Sequence, residues 1–454
     1  MRRLVMAGAL ACSAPAYAAE PDAFVAWAQS HAAALPECSG EANAADFGAF
    51  DPIVGTAQVV AFGEPTHGAH EPLAMRNCLF RHLVERQGFT AIAIESGLAE
   101  SRALQAYVAG GPGDARALAR SSLTWGFWRF GENVELLEWM HRFNADPLHA
   151  TKIRFYGIDM SGGDASGEWP RARITLEQSL DFLERAAPER SRAVRVTLGA
   201  FKDRFTLSSY RAMKPGEKRA LRMAINDVIR FYASNRKTLA LGANPADFAW
   251  EERCAVLARQ IEAAFRVSRA SDSGEDLQPD DWQASAARDA AMAENLRWVM
   301  GREGPTGRIL LFAHDGHIVN ESARGGEWTV FRHPPASMGQ HLRAALGNRL
   351  RIIASAAVNI DPRLGGTATP LGSVDRALAD VAARTGKLAF VLDIRKPNNG
   401  VTSQWLKRNQ SIMTNLTTNS LLTPHRAIDA VVFLRSLTPS QSPRPGKAVT
   451  GGNP

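Results

Sequence analysis

Two carboxylates and two imidazoles fall within the nine residues "GEPTHGAHE" (63–71), directly after the apolar run "AQVVAF" (57–62). A buried core has no use for Glu64, His67, His70 and Glu71 at the end of a strand. Their types and spacing suit a metal site, an acid/base pair or a polar loop.

Other titratable groups stand at comparable places. Glu95 closes "TAIAIE" (90–95), Asp159 follows "KIRFYGI" (152–158), and His314 and His317 lie in "AHDGH" after "RILLFA" (308–313). In an open parallel sheet, ligands bind beyond the carboxyl ends of the strands. These residues are therefore expected to converge on one edge. Three chemistries suit them. His67 can act as general base on a water, with Glu64 or Glu95 holding its other ring nitrogen, because a free imidazole titrates near working pH. Alternatively His67, His314, His317 and a glutamate hold a metal that activates water, since HxxH occurs at 67/70 and at 314/317. In the third, the cluster binds a polar ligand without chemistry. There is no G-x-S-x-G elbow, HExxH, P-loop or G-x-G-x-x-G after a strand, so a serine hydrolase of the usual α/β kind is not expected. Arg76, nine residues beyond His67, reads on its own as a surface cation. His70, His82 and His141 read as structural or surface residues.

The elements that must position these groups are short apolar or β-branched runs: 57–62, 90–95, 152–158, 308–313, 351–358, 388–394 and 429–434. Helical patterns such as "AMRNCLFRHLVERQGF" and "ENVELLEWMHRFN" separate many of them. Continuous apolar strands alternating with helices predict an α/β fold with a largely parallel central sheet and flanking helices. From 165 to 304 the strand signal gives way to good helix formers, which predicts a large helical insertion between 19–164 and 305–438, with a polar loop at 271–281. The Pro/Gly/Ser-rich end, 439–454, reads as a disordered tail. Trp125, Phe127 and Trp128 are near enough to the Asp159 strand to line an apolar pocket, or to be ordinary core aromatics.

With 454 residues, 45% hydrophobic and 22% charged, the chain is globular. Its +7 formal charge is spread without a dense basic block, so it reads as solvated surface and no nucleic-acid partner is expected. "MRRLVMAGALACSAPAYA" reads as a signal peptide cut after Ala18, which predicts a periplasmic or secreted protein. No later run has the length of a membrane span. Cleavage would leave Cys38, Cys78 and Cys254, hence one disulfide at most, with Cys38–Cys78 the expected pair.

Taken in order, these motifs resemble the erythromycin esterase family. "GEPTHGAHE" is similar to its GE-x-THG-x-x-E strand end, with Arg76 and Glu95 at the family's following arginine and glutamate. "FWRFGENVELLEWMHRFN", "YGID", "RDAAMAENLRWV", "FAHDGHI" and "SMGQHLRAALG" resemble its later segments, so the likeness covers roughly 57–435. The resemblance implies an ester hydrolase opening a macrolide lactone without a covalent intermediate. His67 would be the base, with Glu64, Arg76, Glu95, His314 and His317 around it; by their place in the sequence, Trp125, Trp128 and Asp159 are expected toward the substrate. It implies no cofactor, leaving a divalent metal as the alternative, and it turns Arg76 into the crevice. The family also includes proteins whose substrates are not macrolides, so an envelope polysaccharide ester is a further alternative. Two departures stand out: Pro65 in the first motif, and Asp315 where the family often has Asn, a carboxylate able to raise the pKa of His314 or to favour a cation.

Overall fold

The computed structural model describes residues 15–38, 44–164, 169–241, 244–268, 282–325, 328–329, 333–395, 397, 400–415 and 418–442. Eight strands form one sheet, in the spatial order β1 (Ala33–Ala34), β7 (Ala389–Asp393), β10 (Ala430–Leu437), β6 (Leu350–Ile360), β2 (Val59–Glu64), β5 (Ile309–His314), β3 (Ala91–Gly97), β4 (Arg154–Asp159). The six strands from β10 to β4 are parallel to their neighbours. β7 runs antiparallel to β10, and β1 to β7. A separate hairpin joins β8 (Gln410–Asn415) to β9 (Thr418–Leu422). All seven apolar runs of the sequence are strands of the large sheet.

Both faces of this sheet are covered, which is why its strands carry apolar residues without alternation. Ala61, Ala93 and Leu311 face one core with Phe24, Trp27, Leu296, Val299, Leu342 and Val381, from the helices Pro15–His31, Trp282–Glu303, Met338–Leu346 and Val374–Thr385. Their neighbours Phe62, Ile94 and Phe312 face the other core, packed by Leu79, Leu83, Leu104, Leu137 and Met140 from the helices His70–Gln87, Ser101–Val108 and Gly131–Ala145. All the described elements between β4 and β5 are helices. Its helices from Ile174 to Val267 build a third core around Leu183, Val228, Phe248 and Ile261. Its last helix, Trp282–Glu303, lies against β4 and β3. The expected loop at 271–281 lies outside the described residues.

Cys38 and Cys78 form a disulfide with Cα atoms 6.3 Å apart, and Cys254 is free and buried. No helix among the described residues is long and apolar enough to cross a membrane. The helix Pro15–His31 runs across the expected cleavage point at Ala18, and residues 1–14 of the expected signal segment lie outside the described residues. At the other end, residues 439–442 are bound to the body of the protein rather than forming the start of a free tail: Pro439 bridges Ala69, and the Ser440 N–H donates to the Gly68 carbonyl at 2.7 Å. Residues 443–454 lie outside the described residues.

One irregularity of the sheet matters for the site. β3 and β4 pair as Ile94 with Gly157 and then Gly97 with Asp159, so Glu95 and Ser96 together oppose a single residue. Such a bulge re-aims side chains at a strand end. It is stitched to the next segment by Thr124, whose N–H donates to Ser96 Oγ at 2.9 Å and whose Oγ1 accepts the Gly97 N–H at 2.8 Å. A side chain at Gly157 would put its Cβ 2.4 Å from the Ser96 carbonyl oxygen. Gly157→Ala is therefore expected to destabilise the fold by about 1–3 kcal/mol, read as a lower midpoint in urea. An unchanged midpoint would remove the close-approach argument for this glycine.

Candidate active site

Adjacent in the sheet, β2, β5, β3 and β4 bring their carboxyl ends to one crevice. It opens as a cavity of about 520 Å³ bordered by His67, Glu95, Trp125, Arg288, His314 and His317, among others.

His67 sits in the turn between β2 and the helix His70–Gln87. Three residues earlier, Glu64 ends β2 and is buried beneath it, with Oε1 2.7 Å from His67 Nδ1. That carboxylate selects the tautomer with the proton on Nδ1, leaving Nε2 as the basic nitrogen; it is 4.0 Å from Glu95 Oε1. His67 keeps 38% of its side chain exposed; the partial desolvation pushes it toward neutrality, but the Glu64 hydrogen bond and the nearby carboxylates outweigh that and raise the pKa above 6.5. Glu64 is itself raised, chiefly by burial. The pair is a coupled base that shares one proton.

Glu95, placed by the bulge, is the hub of the opposite wall. Its Oε1 accepts from Arg288 Nη2 at 2.6 Å and lies 3.3 Å from His317 Nε2; its Oε2 accepts the His314 N–H at 2.8 Å. Burial would raise its pKa, yet the positive charges of His317 and Arg288 hold it well below the usual carboxylate range. Arg288 is clamped from several sides. Nε and Nη2 donate to Asp159, with Nη2 2.6 Å from Oδ2, and the guanidinium lies 4.9 Å over the Trp125 ring. Trp125 in turn donates its indole N–H to Asp159 Oδ2 at 2.7 Å. His317 pairs through Nδ1 with Asp289 Oδ1 at 2.6 Å. Although burial opposes it, Asp289 and Glu95 raise His317 to about 10, which favours its charged form at neutral pH, while Arg288 Nη1 lies 3.1 Å from its Nε2.

His314 behaves oppositely. Burial, together with repulsion from His67, lowers it to about 3. Its Nδ1 accepts the Gly316 N–H at 3.3 Å, which puts the ring proton on Nε2 as a neutral donor. The neighbouring Asp315 does not raise this histidine. Its carboxyl turns under the sheet end, accepting the Ser355 N–H at 3.2 and 3.3 Å. There burial pushes its own pKa well above the ordinary value. Gly63 is required for that packing, since a Cβ there would fall 1.9 Å from Asp315 Oδ1.

Of the residues singled out from the sequence, His67, Glu95, His314, His317 and Trp125 border the cavity, with Glu64 directly behind His67. Asp159 is fully buried and acts on Arg288 rather than on the cavity. Arg76 is neither a surface cation nor turned into the crevice. It is 1% exposed, donates to Asn77 and Asn133, lies over Phe312, and is lowered to about 10 by burial. From there its charge reaches Glu64. Trp128 does not border the cavity; it is stacked between Arg120 and Arg129, while Phe127 packs against His67. His70, His82 and His141 are structural, bonded to Glu132, Asp51 and the Tyr107 carbonyl. Sequence reasoning passed over Arg288 and Asp289. The only signal for them was the R-D pair of "RDAAMAENLRWV", which the helical pattern made look like an exposed face.

The same geometry bears on a metal. Of the set His67, His314, His317 and a glutamate, Glu95 already accepts from the Arg288 guanidinium and His317 lies between Glu95 and Asp289. Among the described residues, no group of three or more His, Cys, Asp or Glu side chains is arranged to hold a metal ion.

A family profile described as erythromycin esterase matches residues 84–437. The chain is 21% identical over 426 residues, 91% of each sequence, to a Bacillus subtilis (strain 168) protein named "Putative hydrolase YbfO". It is 31% identical to the Escherichia coli erythromycin esterase type II over 121 residues, 26% of this chain and 27% of that one. Among solved structures, a Bacillus cereus protein superposes with a TM-score of 0.76 at 22% identity, covering 93% of this chain and 99% of that one. A succinoglycan biosynthesis protein gives 0.74 at 20%, covering 93% and 98%. A mutant of the erythromycin esterase EreC in its open conformation gives 0.68 at 18%, covering 90% and 98%. At these identities the three structures are similar in fold.

Because Glu95 neutralises two cations, Glu95→Gln should lower the His317 pKa below its value of about 10. It should also destabilise the protein by about 3–5 kcal/mol, the cost of stripping one partner from a buried ion network. NMR titration of His317 and urea unfolding measure the two; an unmoved His317 titration would contradict the hub role.

Proposed function

The chain belongs to the erythromycin esterase family, and from that membership and the site we propose that it is an ester hydrolase opening the lactone ring of a macrolide. The supporting observation is a base and a set of proton donors bordering one cavity. His67, oriented by Glu64, has its ring 5.0 Å from that of the neutral His314, with Arg288 and His317 lining the same space.

The steps follow from the atoms. A water at His67 Nε2 gives up a proton as its oxygen bonds to the lactone carbonyl carbon. The negative charge that develops on the carbonyl oxygen is stabilised by donors already held in place: the Nε2–H of His314 and the positive edge of Arg288 and His317. Because these groups are fixed by Glu95, Asp159 and Asp289, they need no reorganisation when charge appears. Collapse of the tetrahedral intermediate breaks the ring C–O bond, and the departing alkoxide takes the proton back from His67. The product is the hydroxy acid, one water heavier than the substrate. Of the lining serines, Ser337 donates its hydroxyl to the Val319 carbonyl rather than to His67. Trp125, Trp328 and Pro335 supply apolar wall for a macrocycle. The reading needs no cofactor. Export through the N-terminal segment, also proposed, would place the enzyme where it meets the compound before entry to the cytoplasm.

Incubation with erythromycin is expected to yield a product heavier by one water, at a rate insensitive to chelator. His67→Ala should lower the rate by about 10²–10⁴-fold. Loss of activity on chelation with recovery on adding a divalent ion would instead favour a metal-dependent hydrolase. Release of acyl groups from a polysaccharide without macrolide turnover would move the substrate to the cell envelope.

The neutral form of His67 is the active one, and Glu64 raises its pKa above 6.5. Activity should therefore rise with pH through a value above 6.5 in the wild-type protein. In Glu64→Gln the raising hydrogen bond to a charged partner is gone, so the limb should shift to lower pH while the maximum rate falls. A limb that stays in place would separate Glu64 from the base.

A further inference from the structure

The turn that carries His67 is short of main-chain partners of its own. It ends at Ala69, which caps the helix His70–Gln87 without a side-chain hydrogen bond, so the first N–H groups of the helix need outside acceptors. Those partners come from the far end of the chain. Leaving β10 at Leu437, residues 438–441 turn back and run beside the His67 turn. The Thr438 carbonyl accepts the His70 N–H at 2.7 Å, Pro439 bridges Ala69, and the Ser440 N–H donates to the Gly68 carbonyl at 2.7 Å. Thr438 also donates its N–H and its hydroxyl to the Glu71 carboxylate, each at 2.8 Å.

The same segment is tied to the helix Gly131–Ala145, on the other side of the turn. The Gly131 N–H donates to the Gln441 carbonyl at 3.0 Å and approaches Ser440 Oγ at 3.2 Å. The Ser440 hydroxyl donates to Glu132 Oε2, whose other oxygen is 2.6 Å from His70 Nδ1. Thus Gly68, Ala69 and His70, the three residues that follow His67, are held between a fixed helix and a strap that is continuous with a central strand.

We propose that residues 438–441, with Ser440 at their centre, are a positioning strap that holds the His67 turn so that the imidazole stays on Glu64 and faces the cavity. Ser440 touches neither His67 nor the cavity; it acts through Gly68, Gly131 and Glu132. The catalytic part of this inference rests on His67 being the base, whereas the positioning part does not. A displacement of about 1 Å at a reacting group is enough to cost on the order of 10²-fold in rate.

Two full-length variants test it. Ser440→Pro removes both the N–H that meets Gly68 and the hydroxyl that meets Glu132; Ser440→Ala removes the hydroxyl alone. With the strap in place, His67 titrates above 6.5 because Glu64 holds it. In Ser440→Pro the imidazole titration, followed by NMR, is expected to move toward 6.5, and the Gly68 and His70 amides to exchange faster. Turnover should fall about tenfold or more with KM changed less than about twofold, since Arg288 and its partners lie on the other wall. Ser440→Ala should show the same changes in smaller degree. The proposal is overturned if Ser440→Pro folds and leaves the His67 titration unmoved, or if the turn loosens while turnover is unchanged. If Ser440→Pro does not fold, Ser440→Ala decides by the same readings. If the wild-type protein hydrolyses no macrolide, the function fails, while the His67 titration and amide exchange still decide whether the strap positions the turn.

Discussion

The active site depends on one buried carboxylate that is never alone. Glu95 is 2% exposed and would be expensive to keep ionised in that environment without partners. It is ionised because Arg288, His317 and a main-chain N–H surround it. The dependence also runs the other way. Arg288 and His317 are part-buried cations, and Glu95, Asp159 and Asp289 face them and favour their charged forms. Each member is satisfied only when the others are present, so the network is fully formed or strongly unfavourable. Everything nearby serves this condition. The β3 bulge aims Glu95, Thr124 stitches the bulge, Gly157 makes room for it, and the Trp282–Glu303 helix delivers Arg288 and Asp289.

From that constraint follows a division of labour between two histidines on the same strand end. His317, between two acids, is a permanent cation; His314, deep beside other positive groups, is permanently neutral. Neither changes charge near neutral pH, so both present fixed dipoles to the cavity. His67 is the histidine of the site whose proton is mobile, poised by Glu64. One wall is thus fixed and electrophilic while the other exchanges protons, which is the polarity that ester hydrolysis by water requires. Asp315 shows the same rule: in a place that brings no counter-charge, burial raises its pKa well above the ordinary value.

Much of this was legible in the sequence because it is local. Seven apolar runs mark seven strands, since a strand buried on both faces must be apolar along its length. The Glu64–His67 contact is built into a spacing of three residues within one motif, so it survives any arrangement of the rest. Arg288 and Asp289 were not legible. They belong to an amphipathic helix in which two charged residues look like a solvated face, and only its packing against β3 and β4 turns them inward. Arg76 misled for the converse reason: a charged residue in a helix reads as exposed or functional, but here it is enclosed by Asn77, Asn133 and Phe312. Residues 439–441, which look like the start of a free tail, are held by contacts with segments some 300 and more positions away.

By itself, then, the sequence determined the alternation of strands and helices, the strand-end location of the titratable groups and the local pairing of Glu64 with His67. All of these are set by periodicity and by contacts within a few residues. Only the tertiary structure decided that β5 lies between β2 and β3, and with it which strand ends share the cavity. It also decided that Arg288 rather than Arg76 faces the acids, and which imidazoles are charged. Those outcomes depend on strand order, on a bulge that redirects one side chain, and on the burial of each charge beside particular partners. Burial and partnership are properties of the packed chain, and no stretch of residues carries them alone.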